Sequence, residues 1–179
     1  ASNAAKSIIG VGLNWDNKED EVEFLVNYRY KVLERNSIQE WNFKDSVEFW
    51  GNSMIDFDGV LSYDPIFHYF SNPEDVREFH VNAKRYMLPN TPLGCIVTGR
   101  REMFRDSCLA WLEKYHVKFN EMKMNPNTIQ NLELHANFKS EYFKNSECKY
   151  FVESEISQSI TIAKNSDKPV LCIDDMNVY

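Results

Sequence analysis

The stretch Met54-Ile55-Asp56-Phe57-Asp58-Gly59-Val60-Leu61 constrains this chain most: an apolar run that ends in two carboxylates one residue apart, followed at once by a glycine. In an extended strand alternate residues point the same way, so Asp56 and Asp58 at the strand's C-terminal end can meet one ligand. One carboxylate can attack an electrophile or hold a metal while the other, in a different local field, carries a proton. Gly59 allows a sharp turn directly after the pair. The same short string also occurs in calcium loops and ordinary turns. A calcium loop, however, needs further oxygen ligands at regular spacing, and here Val60-Leu61 follow instead.

The rest of the chain repeats the pattern of a short apolar run followed by a helical stretch. Strands are predicted at 53–57, 95–98, 117–122, 150–152 and 169–173, and helices around 103–115, 139–145 and 156–164. Such alternation predicts an α/β fold, a parallel sheet covered on both faces, with ligands at the strands' C-terminal ends where the strand order reverses. Residues 62–92 are mixed, with a turn at Asn72-Pro73 and a helix over 74–86, long enough for a small lid and too short for a second domain. Ahead of the first core strand, Ile8–Leu13 reads as a strand and Asp20–Leu33 as a charged helix. Trp41 and Trp50 are expected to anchor the approach to the core. Ser2-Asn3-Ala4 has the look of a tag remnant. The expected division is 1–46 as an N-terminal segment, which can be read as the tail of a preceding domain, and 47–179 as the functional domain.

A length of 179 residues gives room for one sizeable core, and 43% hydrophobic content with 12 Phe fits a folded domain. A formal charge of −7 disfavours broad binding to nucleic acid or anionic membrane. No run spans a bilayer and no secretion signal is evident, so the cytoplasm is the expected compartment. Cys95, Cys108, Cys148 and Cys172 are dispersed without metal-site spacing and are expected as reduced thiols.

Four further groups end strands or open helices. Thr98-Gly99-Arg100 follows an apolar strand, so Thr98 and the N–H groups after it can cradle a phosphate or simply cap a helix; Arg100 and Arg101 can clamp an anion or lie on a solvated helix start. Lys139 and Lys144 compete as the lysine that neutralises charge shared by a carboxylate and a phosphate. Glu153-Ser154-Glu155 offers hard oxygens suited to magnesium, or an N-cap at Ser154. Asp174-Asp175 is a second acidic strand end. His68, His80, His116 and His135 show no ligand or triad spacing and are expected to be structural or exposed.

Taken in order, Asp56-Phe57-Asp58-Gly59-Val60-Leu61, Thr98-Gly99-Arg100, Lys139 and Phe151-Val152-Glu153-Ser154 resemble the four motifs of the haloacid dehalogenase-like hydrolase superfamily, over the chain from about Ser53 to its end. The resemblance implies a Rossmann-like three-layer sandwich with a small or absent cap, Asp56 as a nucleophile that becomes phosphorylated, and Asp58 as general acid and base. It implies Thr98, with Gly99 and Arg100, in phosphate binding and Lys139 in charge neutralisation. Mg2+ is implied on the Asp56 carboxylate, the Asp58 carbonyl and Glu153. The superfamily's fourth motif usually presents aspartates, and here Glu153 and Ser154 stand in their place. Glu40-Trp41-Asn42, Trp111-Leu112, Phe138-Lys139 and Lys168-Pro169-Val170-Leu171-Cys172 add a likeness to the hydrolase-like C-terminal half of phosphoribosyltransferase-fused proteins, which implies a phosphoribosyltransferase domain as neighbour. The expected activity is a magnesium-dependent phosphohydrolase acting on a small phosphorylated metabolite or nucleotide. A noncatalytic binding domain of the same fold and a polynucleotide 3'-phosphatase are the alternatives.

Overall fold

The computed structural model describes residues 45–64, 72–126 and 132–179; the expected strand at Ile8–Leu13, the helix at Asp20–Leu33 and Trp41 lie outside them. A short helix α1 (Val47–Gly51), N-capped by the Ser46 hydroxyl, leads into β1 (Ser53–Ile55). Helix α2 (Pro73–Asn82) follows, with Asn72 as its N-cap and proline in its first turn, where the missing N–H costs nothing. Then come β2 (Leu93–Arg101), a 3-10 turn (Glu102–Phe104), α3 (Arg105–Lys114), β3 (Phe119–Asn125), α4 (Leu132–Lys144), β4 (Tyr150–Glu153), α5 (Ile156–Ser166) and β5 (Val170–Cys172).

The five strands form one parallel sheet in the order β3-β2-β1-β4-β5. This is an α/β Rossmann-like sandwich: the alternating pattern predicts the covered parallel sheet, and the resemblance implies its Rossmann-like form. The order reverses at β1, between β2 and β4, which places the end of β1 at the switch point where such sheets bind ligands.

Strand alternation divides the core into two layers. Ile55, Ile96, Val152 and Leu171 face one way, into a cluster with Trp50, Phe57, Leu61, Trp111 and Leu112. Met54, Cys95, Val97, Phe151 and Val170 face the other way, against Ala136 and Phe143 of α4 and Ile162 of α5. The two-residue period therefore fixes which face each strand-end side chain takes. Asp56 continues the Met54 face and Glu153 the Phe151 face, both toward α4 and α5.

Two bounds differ instructively from the sequence reading. Helix α4 starts seven residues before Lys139, at Leu132; Asn137, which reads as a helix start in the sequence, is exposed on the helix, bonded to Asn165 at 3.1 Å. The N-cap of α5 is Glu155, whose carboxylate accepts the N–H groups of Ser157 and Gln158, so Ser154 is left to face the site. All four cysteines are unpaired thiols. Among the described residues no helix is long and apolar enough to cross a membrane.

Candidate functional site

At the C-terminal edge of β1 and β4, Lys139 of α4 extends between two carboxylates. Its Nζ donates to Asp56 Oδ2 at 2.7 Å, to Glu153 Oε2 at 2.7 Å and to Gln158 Oε1 at 3.1 Å. Lys139 is 2% exposed and Glu153 is 0% exposed, so the ammonium and its acceptors form a closed cluster. Lys144, the competing lysine, lies exposed at the end of α4. The Asp56 Oδ1 atom accepts the N–H of Phe57 at 2.8 Å, while Glu153 Oε1 accepts the N–H groups of Ser154 and Glu155 at 3.0 and 3.4 Å.

The cluster sets two carboxyl groups against one ammonium. Burial, then the charge of Glu153, push the Asp56 carboxyl up to about 8, against the opposing pull of Lys139. Burial would lower the Lys139 ammonium, but the charges of Asp56 and Glu153 outweigh it and hold the lysine protonated.

Asp58 is in a different field. Arg100, which is 5% exposed, grips it from two nitrogens, Nε to Oδ2 at 2.9 Å and Nη2 to Oδ1 at 2.6 Å, and the Ser62 hydroxyl donates to Oδ1 at 3.2 Å. The guanidinium lies 3.9 Å above the centre of the Phe57 ring. Burial raises the Asp58 carboxyl, yet the charge and hydrogen bonds of Arg100 prevail and hold it below the usual carboxylate range. Arg100, expected in substrate binding, thus has its guanidinium bound to Asp58. Arg101 is exposed.

Thr98 is fully buried, and its Oγ1 accepts the N–H of Arg100 at 3.1 Å. Gly59 has φ +73°, and a Cβ there would lie 2.2 Å from Ser154 Oγ and 2.8 Å from Asp64 Oδ2, so both the turn and the close approach require glycine. Ser154 Oγ donates to the Asp58 carbonyl at 3.3 Å. Gly99 has an ordinary backbone, but a Cβ on it would lie 2.9 Å from His135 Nδ1.

The residues to which the sequence assigns no role are Ser62, Asp64 and Gln158; His80 and His135, expected to be structural or exposed, stand close to the site. Asp64 crowds Gly59 and is raised to about 6 by burial and then by the charges of Asp58, Asp56 and Asp174. His80 bonds Ser107 at 3.2 Å, and burial, then Arg100, lower it to about 4. Sequence spacing gives no signal for side-chain contacts that span 10 to 38 residues, from His135–Asn125 to Ser62–Arg100. Asp174 is exposed and Asp175 is engaged by Tyr179 and Asn177, so this acidic pair does not join the cluster.

The resemblance implies magnesium at Asp56, the Asp58 carbonyl and Glu153. Among the described residues no three His, Cys, Asp or Glu side chains gather to hold a metal ion. Magnesium, however, takes one or two carboxylates and keeps several waters. Each carboxylate oxygen has two acceptor sites. With the hydrogen bonds above, Asp56 retains one on each oxygen, Glu153 one on Oε2 and the Asp58 carbonyl one. Hard oxygens with acceptor sites left over fit the ion.

No family model matches the chain, and no curated protein does. Among solved structures, the chain is similar to one in the Pnkp1/Rnl/Hen1 RNA repair complex, at 10% identity and a TM-score of 0.50, over 82% of this chain and 48% of that one. It is also similar to one in a Pnkp1/Rnl/Hen1 complex, at 14% identity and a TM-score of 0.49, over 85% and 59%. This chain therefore spans between about half and three fifths of their length. At such identities the likeness is one of fold.

Proposed function

We propose that this chain is a haloacid dehalogenase-like phosphohydrolase that acts on a small phosphorylated metabolite or nucleotide through a phosphoryl-aspartate at Asp56. The observation that carries the reading is Lys139 Nζ, 2.7 Å from both Asp56 and Glu153 at the switch point of a parallel sheet. Phosphoryl transfer depends mainly on positioning and on stabilising charge, and this cluster supplies both.

Asp56 Oδ attacks phosphorus, the P–O bond to the leaving group breaks, and its electron pair leaves with that oxygen. Lys139, already bonded to the attacking carboxylate, compensates charge on the phosphoryl oxygens, and the Thr98 hydroxyl, whose oxygen accepts the Arg100 N–H, keeps its own proton to donate to the phosphate. Mg2+ held by Asp56, the Asp58 carbonyl and Glu153 would add positive charge and favour the ionised Asp56. Water then attacks phosphorus, the acyl-phosphate bond breaks, and Asp56 is regenerated with release of inorganic phosphate.

Asp58, ionised in its pair with Arg100, suits the second half, in which a base takes the water's proton. The same pair opposes protonation of a leaving oxygen in the first half. That favours esters with acidic leaving groups, which depart without a proton. It is also the specific support for a second reading, a noncatalytic domain that binds a phosphorylated ligand. The partial fold likeness to a chain of an RNA repair complex makes oligonucleotide 3'-phosphates a natural member of any substrate panel.

The test is a phosphomonoester panel with Mg2+, comparing the protein with Asp56→Asn. Turnover that disappears in the variant supports the covalent route. Equal activity in both ends it, and ligand or Mg2+ binding without turnover selects the noncatalytic reading.

A further inference from the structure

We propose that His135 contacts the phosphorylated substrate, forming a second layer of the site directly above the Asp56–Lys139 pair, with Asn125 and Gly99 as its seat. The inference deepens the phosphohydrolase reading and rests on it.

The ladder between β2 and β3 shifts register between Thr98 and Arg101, and the Cβ position of Gly99 still points at His135 of α4, the helix that covers Cys95 and Val97. The pairing Met54↔Cys95 and Ile55↔Ile96 sets Val97 beside Asp56, so Gly99 stands two residues further toward the C-terminal edge. Two strand residues rise about 6.6 Å. On the facing helix His135 precedes Lys139 by four residues, the same side of α4 about 6 Å nearer its N-terminus. In a parallel sheet the crossover helices run back against the strands, so the N-terminus of α4 stands at the strands' C-terminal edge. The two elements are thus in step: Lys139 reaches Asp56, and one level up the His135 ring lies over Gly99.

That contact is tight. A Cβ on Gly99 would meet His135 Nδ1 at 2.9 Å and Cε1 at 3.1 Å, so the imidazole occupies the space that any other residue would fill. Asn125, 1% exposed at the end of β3, has Nδ2 3.4 Å from His135 Nε2 and 3.3 Å from the Gly99 carbonyl oxygen, tying ring and peptide together. The glycine of Thr98-Gly99-Arg100 therefore makes room for a side chain, which a helix cap alone does not require. Nε2 takes the Asn125 amide N–H, which puts the ring proton on Nδ1, the nitrogen over Gly99, and this N–H would donate to a phosphate or leaving-group oxygen carried on Asp56.

The experiment is an NMR titration of the whole protein with inorganic phosphate, with and without Mg2+, following the His135 ring resonances alongside the phosphorus signal. His135→Ala, His135→Gln and Gly99→Ala are compared, their folding checked by thermal unfolding. The expected result is a His135 ring shift that saturates with phosphate binding. Binding should weaken about tenfold to a hundredfold in His135→Ala and Gly99→Ala, with partial recovery in His135→Gln, which keeps a donor. In turnover the loss should fall on kcat/KM. Phosphate binding with an unmoved His135 ring and unchanged affinity in His135→Ala overturns this inference and leaves the Asp56 reading standing. Absence of phosphate binding overturns this inference; the Asp56→Asn comparison then decides separately whether the parent reading falls too.

Discussion

Lys139→Met removes the ammonium while nearly conserving side-chain length and volume, and so isolates the charge. Asp56 and Glu153 then face each other in a site where Glu153 is 0% and Asp56 6% exposed, and the Gln158 carbonyl loses its donor. Breaking a buried ion pair by deleting one partner costs about 3–5 kcal/mol, a large part of the roughly 5–15 kcal/mol that holds a domain folded. The protein can relieve this by binding a proton, which fixes the sign of the pH dependence. The Asp56 carboxyl is already raised from 3.8 to about 8, so its favourable contribution is full below 3.8 and fades as pH rises through 8. Without Lys139 its folded value climbs further, and the fading continues above pH 8, at about 1.4 kcal/mol per pH unit while one carboxyl titrates. Urea unfolding of both proteins from pH 6 to 9.5 should show a deficit that grows with pH. Adding Glu153→Gln to Lys139→Met should recover part of it. A deficit below about 1 kcal/mol at pH 9, or one independent of pH, would refute the reasoning.

Three further outcomes follow from the geometry. Because Arg100 holds Asp58 ionised, turnover of aryl phosphates should exceed that of alkyl phosphates, and Arg100→Gln should narrow the ratio; equal rates for both ester classes in the wild type would contradict it. His80, lowered from 6.5 to about 4, is protonated in the unfolded but not the folded chain between those values, so it withdraws up to about 3 kcal/mol of stability as pH falls through that window. The difference in urea stability between wild type and His80→Gln at pH 7 and pH 4 reads this, and a constant difference would refute it. Gly94→Ala should cost about 1–3 kcal/mol in chemical denaturation, because its Cβ would lie 2.5 Å from the Gly51 carbonyl oxygen and 2.7 Å from that of Ser53, backbone atoms with no room to yield.

Much of this arrangement is legible from the chain itself. Apolar strands of period two announce the sheet and its two faces, and the acidic, hydroxyl and lysine groups at their ends mark one edge of it. The choice between Lys139 and Lys144 was not legible, because both lie in one helical stretch and only the facing strand register selects the residue that reaches Asp56. The Asp58–Arg100 pair spans 42 residues and leaves no local trace. Arg100 next to a turn looks like a solvated or ligand-facing side chain until Phe57 is seen to bury it. His135 is read from the sequence as structural or exposed for a related reason. With the helix taken to begin at Lys139, the residue one turn earlier has no place on the shared face.

The most direct measurement of the central claim is a crystal structure with Mg2+ and beryllium fluoride, a mimic of a phosphoryl group on a carboxylate. The account predicts beryllium bonded to an Asp56 oxygen, with its fluorines toward Thr98 and Lys139 and the cation on Asp56, the Asp58 carbonyl and Glu153. Lys139 still bridging Asp56 and Glu153 with no beryllium bonded to Asp56 would contradict it.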